Sequence, residues 1–269
     1  MSLLGQVVRQ FAFTNKAFWR NPASAFFTFA FPLMFLVIFT SLLGGGETPI
    51  QGTDLATSSY FVGVMAAFGV ISACFTNIAI QTTFSRDEGL LKRLRGTPLP
   101  AGAYLGARIL HATAVGALLI VITLVFGKLV YDSPIPTGGP LVEFVVMFLV
   151  GSLTFAALAF AITAIIPNAD ASPPIVNAAI LPLLFISGVF IPLGDEAPAW
   201  MTTLADIFPV KHFADGMLTS FLGNVTAPGP VDLPIRIFVF EWVDVLIVAA
   251  WGVAGMLLAT RFFSWEPRK

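Results

Sequence analysis

The side chains of this sequence that could take part in covalent or metal chemistry are few and widely separated. The single cysteine, Cys74, lies within an apolar run, and the two histidines, His111 and His212, are far apart in the chain. We therefore expect neither an internal disulfide nor a metal site built from these residues. The sequence also has no Gly-x-x-x-x-Gly-Lys-Ser/Thr phosphate loop, no His-Glu-x-x-His and no Gly-x-Ser-x-Gly. The expectation is a chain without catalytic residues, without a metal and without a cofactor of its own.

The most informative polar stretch is the segment at 86–100, which reads RDEGLLKRLRGTPLP between two long apolar runs. Acidic residues at its start and basic residues toward its end suit the dipole of a helix, and Glu88 and Lys92 have the spacing of a helical ion pair. Gly96 is placed to end that helix. The leucines that share one face are Leu90, Leu91 and Leu94. The pattern predicts a short amphipathic helix at 85–100 that another protein can contact; the alternative is a solvated basic loop.

The composition shows which environment must position this helix. Of the 269 residues 57% are hydrophobic and only 11% are charged, and the mean hydropathy is +0.89. A soluble domain would have about a quarter of its residues charged. Six apolar stretches approach the roughly 20 residues that a membrane-spanning helix needs. They are 24–43, 58–84, 103–130, 141–166, 173–193 and 243–263. We therefore predict an all-α polytopic membrane protein with six transmembrane helices, forming a single domain over 1–269.

The charged residues are sorted by side of the membrane. Eleven of the fourteen Lys and Arg residues lie in the N-terminal segment, at 85–108 and in the C-terminal tail, whereas most acidic residues lie in the alternate segments. The positive-inside rule therefore places both termini and the 85–100 helix in the cytosol. No Asp, Glu, Lys or Arg falls near the middle of a span, which argues against an ion-coupled transporter and against an intramembrane enzyme.

The N-terminal residues 1–22 predict a further helix, lying in the membrane interface. Its basic residues cluster opposite an apolar face at helical spacing. The residues of that apolar face are Leu4, Val7, Val8, Phe11, Phe18 and Trp19. A cleaved signal peptide is the alternative, and it is disfavoured because the following apolar run is long and has no good cleavage site.

The order of these parts and two motifs resemble the membrane subunit of type-2 ATP-binding-cassette exporters, the permease family of bacterial drug, lipid and polysaccharide export. The first motif matches the family's coupling helix and consists of Arg86, Glu88, Gly89, Leu94, Thr97 and Pro98. The second reads FISGVFIPLGDEAPAWMTTLADIFPVKHFADGM. Its matching residues are Ser187, Gly188, Pro192, Pro198, Trp200, Pro209 and His212. At the position where the family often has an arginine this sequence has Leu218, and no role is transferred to it.

The resemblance implies how such a protein works. Two permeases pair, either two copies or one copy and a related sister subunit, and each binds one ATPase subunit through its coupling helix. ATP and Mg belong to the ATPase, so this chain is not itself an enzyme. Substrate passes between the permeases along the second and fifth spans, and the 192–220 segment forms re-entrant outer helices that act as a gate. The implied location is the bacterial inner membrane, and no nucleic-acid partner is implied.

The predicted site residues fall into three sets. The first set is the outer gate, which consists of the matching residues of the second motif. The residues expected to couple to the ATPase are Arg86, Glu88, Gly89, Leu90, Leu91, Leu94, Thr97 and Pro98. The candidates for the substrate path are Asn77, Gln81 and Phe84 on the second span and Asn177, Phe185 and Phe190 on the fifth. The alternative for the path residues is contact between helices inside the protein.

These candidate path residues also limit the substrate. They offer aromatic faces and neutral amides without a charged group, which suits an amphipathic drug-like or lipid substrate rather than a free sugar or a small ion. Two other functions stay open from the sequence. One is a non-transporting membrane scaffold that recruits a cytosolic partner through the same helix, and the other is an ion-coupled transporter.

Overall fold

The structure is a computed structural model that describes residues 2–42, 56–97, 99–190, 197–227, 235–236 and 238–266. Within these residues the chain forms eleven α-helices. They are α1 (Leu3–Trp19), α2 (Pro22–Leu42), α3 (Thr57–Ile71), α4 (Ile78–Asp87), α5 (Leu90–Arg95), α6 (Ala101–Tyr131), α7 (Gly139–Ile162), α8 (Ser172–Ile186), α9 (Ala199–Ile207), α10 (Pro209–Phe221) and α11 (Trp242–Phe262). Two antiparallel two-residue strands, β1 (Thr226–Ala227) and β2 (Ile235–Arg236), are the departure from an all-helical fold.

Five helices of the described chain are long and apolar enough to cross a membrane. They are α2, the continuous helix Thr57–Asp87, α6, α7 and α11. The helix Thr57–Asp87 joins α3 to α4 through a π-helical segment, Ser72–Asn77. Such wide turns inside α-helices are frequently found at functional sites. All five coincide with spans predicted from hydropathy.

The predicted fifth span, 173–193, differs from the helix found there. Helix α8 has 15 residues, which gives a length of about 22 Å against a hydrocarbon core of about 30 Å. It ends at Ile186 because Gly188, with φ of 76°, adopts the left-handed conformation that terminates helices. Residues 191–193 lie outside the described residues. Five of the six predicted spans are therefore present as long helices, and the predicted fifth span contains the shorter helix α8.

Helix α3 lies at the centre of the fold. Thirteen of its fifteen residues are buried, and it packs against α2, α6, α7 and α10. Helix α10 approaches α7 closely, because a Cβ atom at Gly151 would overlap the ring of Phe213 and one at Gly216 would overlap Met147. Small residues at such contacts let helix backbones come close together.

The turn between α9 and α10 reaches about halfway along α11. The ring of Phe208 stacks on Trp251 with 5.6 Å between centroids, and the indole Nε1 of Trp251 donates to the backbone oxygen of Ile207 at 2.9 Å. Trp251 is nine residues after the start of α11 at Trp242, which corresponds to about 14 Å along the helix axis. We call this turn, Ile207–Pro209, the α9–α10 elbow.

The predicted N-terminal helix is present as α1, which packs against α6. Phe11 and Phe18 contact the ring of His111 on α6, with centroid distances of 6.2 and 5.3 Å. Leu4 is 73% exposed and Val8 53%. The apolar face of α1 is therefore divided between contacts with α6 and exposed positions.

Candidate coupling and transport site

Helix α5 is separated from α4 by a sharp turn at Gly89. This glycine has φ of 70°, in the left-handed region that L-residues other than glycine occupy at a cost. The prediction of one helix over 85–100 is therefore wrong in its bounds, since residues 85–87 end α4 and α5 covers only Leu90–Arg95. The predicted ion pair between Glu88 and Lys92 is not formed in this described segment, because the turn removes their helical i,i+4 relationship.

Arg86 lies inside the protein rather than on the surface of the segment. The residue is 1% exposed. Its Nη1 donates to the backbone oxygen of Thr163 at 2.9 Å, and its Nη2 donates to the backbone oxygens of Ile166 and Pro167 at 2.8 and 3.4 Å. These carbonyls belong to the end of α7 and the loop behind it, where helix carbonyls lack intrahelical partners and a cation is favoured.

Asp87 completes this arrangement from the next position in the chain. One carboxylate oxygen lies 3.5 Å from Nε of Arg86, and the other accepts a hydrogen bond from the backbone N–H of Ala169. We call Arg86, Asp87 and the backbone of 163–169 the Arg86 clamp. The clamp holds the α4–α5 turn against the connection between α7 and α8. The spacing of the residues in the sequence motif does not predict these contacts.

A second set of contacts fixes the same region against α6. Nη2 of Arg108 donates to the hydroxyl of Ser85 at 2.9 Å, and Nε of Arg108 donates to the hydroxyl of Tyr104 at 3.1 Å. The guanidinium also lies over the Tyr104 ring, 5.3 Å from its centroid. The end of α4 is thus bonded to both α6 and the α7–α8 connection.

The outward side of α5 is basic and partly apolar. Leu91 is fully buried and fixes the helix to the protein, whereas Leu90 is 37% exposed and Leu94 is half-buried. Thr97 closes the helix by donating from Oγ1 to the backbone oxygen of Leu94 at 2.7 Å. The exposed basic side chains are those of Lys92, Arg93 and Arg95. Pro98 lies outside the described residues.

Residues 263–266, which follow α11, lie beside α5, a contact that the sequence analysis did not predict. A recess of about 120 Å³ is lined by Leu94, Arg95, Tyr104 and Trp265, among others. Nη1 of Arg95 is 3.9 Å from a carboxylate oxygen of Glu266. The sequence signal that points to this contact is the tryptophan within an otherwise polar tail.

Five of the six predicted path residues are exposed or half-buried. Gln81 is exposed, Phe84 is 38% exposed and Asn77 is half-buried, and these three form one stripe of the second span at i, i+4 and i+7. Phe185 on α8 is 46% exposed, and α4 packs against α8. The stripe on the second span therefore lies on a helix that packs against the helix carrying Phe185.

Asn177 and Phe190 differ in accessibility. Asn177 is half-buried. Phe190 is only 3% exposed and lies within an aromatic cluster, with ring centroids 5.0–5.9 Å apart among neighbours that include Phe35 and Phe185. The structure places Phe190 in contacts between helices, which is the alternative that the sequence left open for it.

The described residues of the second motif lie at the end of α8 and in and around α9 and α10. Ser187 and Gly188 end α8, and the hydroxyl of Tyr60 donates to the backbone oxygen of Gly188 at 2.7 Å, which joins this end to α3. Pro198 precedes α9, and Trp200 within α9 is 64% exposed. Pro192 lies outside the described residues.

The α9–α10 part of the motif is bonded to α11. Pro209 begins α10, where its missing N–H costs nothing. Nδ1 of His212 lies 2.7 Å from a carboxylate oxygen of Asp244, and its Nε2 lies 2.9 Å from the backbone oxygen of Asp206. These contacts and the Phe208–Trp251 stack give the elbow one defined position against α11.

Comparisons with known proteins agree with the two motifs. Residues 6–222 match the family described as ABC-2 type transporter. The chain is 23% identical to the putative transport permease YvfS of Bacillus subtilis (strain 168) over 91% of both chains. It is 27% identical to the daunorubicin resistance ABC transporter permease protein DrrB1 of Streptomyces coeruleorubidus, over 68% of this chain and 63% of that protein. Because the matched residues make up most of the chain and include both α5 and the α9–α10 elbow, the chain belongs to the ABC-2 type transporter family.

Proposed function

We propose that this chain is the transmembrane permease of an exporter driven by ATP hydrolysis in a separate ATP-binding-cassette ATPase. ATP and Mg bind to the ATPase, of which the complex has two copies, and the permease pairs with a second copy or a related sister subunit. The protein resides in a bacterial plasma membrane with both termini in the cytosol. Helix α8 belongs to the fifth of the six proposed crossings, and α9 and α10 form a re-entrant gate on the outer side.

The observation that supports this function best is how α5 is attached to the rest of the protein. A helix of six residues is not stable by itself, yet α5 is fixed by the buried Leu91 while its basic side chains remain exposed. The adjoining Arg86 clamp ties the same turn to α7 and α8. Force applied to α5 by a partner is thereby passed to the helices that border the path. Glu88, Leu90, Lys92 and Arg93 form the contact surface, and Arg86 acts as a positioning residue.

We propose further that the substrate is amphipathic, either drug-like or lipid. The accessible path residues combine aromatic rings with neutral amides, a composition typical of sites for hydrophobic ligands. A free sugar or polyvalent ion would lose hydration there without compensation. The printed name of DrrB1 refers to resistance to daunorubicin, which supports drug export as the first substrate class to examine.

The test is efflux from proteoliposomes that contain the permease and its ATPase, measured with a lipophilic dye and with a hydrophilic sugar polymer. We expect export of the dye, and we expect Asn77→Leu and Phe185→Ala to change which lipophilic compounds are moved while ATP hydrolysis continues. Phe262→Ala is the matched control, because Phe262 is 52% exposed on α11, away from the path.

Three results would contradict this proposal. Export of the polymer alone, unaffected by both path substitutions, would show a different substrate class. ATPase binding without movement of any compound would favour the scaffold function, in which α5 recruits a partner and nothing crosses. A proton or sodium gradient that drove flux without ATP would favour the ion-coupled transporter instead.

The proposed orientation gives a separate prediction. In a Cys74→Ala background, cysteines at Ser2 and Glu266 are expected to be protected from an impermeant thiol reagent in intact cells, whereas a cysteine at Thr137 is labelled. The physical reason is the excess of basic residues on the side of the termini. Permeabilised cells, in which all three positions must react, provide the control. Labelling of either terminus in intact cells would refute the six-span topology.

A further inference from the structure

An apolar recess of about 310 Å³ lies between α7, α8 and α11, apart from the stripe of Asn77, Gln81 and Phe84. Helix α7 forms its floor with Phe155 and Leu158, and α8 contributes Ala179 and Leu183 to one wall. Every lining side chain is aliphatic or aromatic. The polar atom among them, Nε1 of Trp251, already donates to the backbone oxygen of Ile207.

The recess extends from mid-membrane depth toward the cytosolic ends of the helices. The α9–α10 elbow closes it at one end, where Phe208 and Trp251 are stacked. At the other end it is lined by Ile165, just beyond α7, and by Leu258, near the end of α11. Ile165 is 68% exposed and Leu258 49%, so this end is open to the side of the protein.

We propose that this recess binds one acyl chain of a phospholipid from the cytosolic leaflet. Its open end lies at the depth of that leaflet's hydrocarbon in the orientation proposed above, and a methylene chain needs no hydrogen-bond partner. Water is a poor occupant because an apolar cavity offers it no polar partners. A drug with amide or hydroxyl groups would have those groups buried without partners.

The position of the recess gives the bound chain a structural role. Its inner end adjoins the loop whose Thr163 and Ile166 carbonyls accept from Arg86, and its outer end is the elbow of the re-entrant helices. An acyl chain in the recess fills the space between these two parts, beside the direct contact of α11 with α7. The inference rests on packing and on the orientation proposed above, and it does not depend on which compound the protein exports.

The test uses the full permease in phosphatidylcholine nanodiscs, without ATPase, and measures quenching of Trp251 fluorescence by phospholipid brominated near the end of its acyl chains. The other four tryptophans are replaced by phenylalanine. Ala179→Phe fills the recess, and we expect it to reduce the bromolipid quenching of Trp251 by about half or more. Ala178→Phe is the matched control, because Ala178 is exposed on α8 and does not line the recess; its quenching should equal that of the unfilled protein.

Ala161→Leu fills the same recess from α7. This variant is measured instead if Ala179→Phe fails to fold. Equal quenching in filled and unfilled proteins would overturn the proposal. The proposal would also be overturned if a lipophilic dye relieved the quenching of Trp251 but unbrominated phospholipid did not. That result would identify the recess as a drug site. Because no ATPase or transport enters the measurement, its failure would leave the proposed export function standing, and loss of export in another assay would not affect this result.

Discussion

Replacing Arg86 by leucine is expected to destabilise the protein and to abolish transport, although Arg86 does not face the ATPase. The substitution removes the Arg86 donors from three backbone oxygens of the α7–α8 connection and removes the cation next to Asp87. Breaking a buried charged contact by truncating one partner costs about 2–4 kcal/mol. For a chain of this size that corresponds to a fall in melting temperature of roughly 5–10 °C.

The measurement is thermal unfolding of the purified permease followed by its helical circular dichroism, together with efflux by the reconstituted complex. Arg93→Leu is the matched control, since Arg93 is exposed on α5 and is bonded to the nearby backbone oxygen of Glu88. It should weaken ATPase association while leaving the melting temperature unchanged. Arg86→Lys should be intermediate, because one ammonium group cannot reproduce the planar fork of a guanidinium. An Arg86→Leu variant with normal stability and normal efflux would show that the clamp has no role in coupling.

Replacing Gly89 by valine is expected to disconnect α5 from the rest of the protein. Gly89 has φ of 70°, and a Cβ atom added there would meet no other atom within 4 Å. The effect is therefore conformational rather than steric crowding by neighbours. The left-handed conformation costs an L-residue about 1–2 kcal/mol, and more for a β-branched one. A change of that size reduces the population of the correct α5 orientation by roughly 5- to 30-fold.

The measurement is ATP hydrolysis stimulated by the permease in proteoliposomes, with ATPase binding assayed in parallel. Gly89→Asn is the control, because asparagine tolerates the left-handed conformation far better than valine does. We expect Gly89→Asn to keep most of the stimulation and Gly89→Val to lose most of it, with equal membrane insertion of both. If the two variants behaved alike, the orientation of α5 would not be what the partner recognises.

The sequence by itself determined the features that depend on local composition. Five spans followed from apolar length, because a bilayer demands about 20 apolar residues whatever the tertiary fold. Helix α1 followed from its periodicity, and a short helix after the second span followed from the order of its charges, its leucine face and Gly96, although its start after Gly89 did not. Membership of the ABC-2 type transporter family followed from two motifs. The residues of each motif lie close together in the chain, so they can be compared with the family's pattern without knowing the tertiary structure.

Only the tertiary structure decided the features that depend on distant parts of the chain. Arg86 is charged and lies next to Asp87 and Glu88, so its sequence context indicates a surface position; its real partners are carbonyls some eighty positions later in the chain. The depth of the α9–α10 elbow depends on Trp251, and the burial of Phe190 depends on rings from α2 and α3. Hydropathy reports how apolar a residue is, but which apolar surface covers it is fixed by packing between helices.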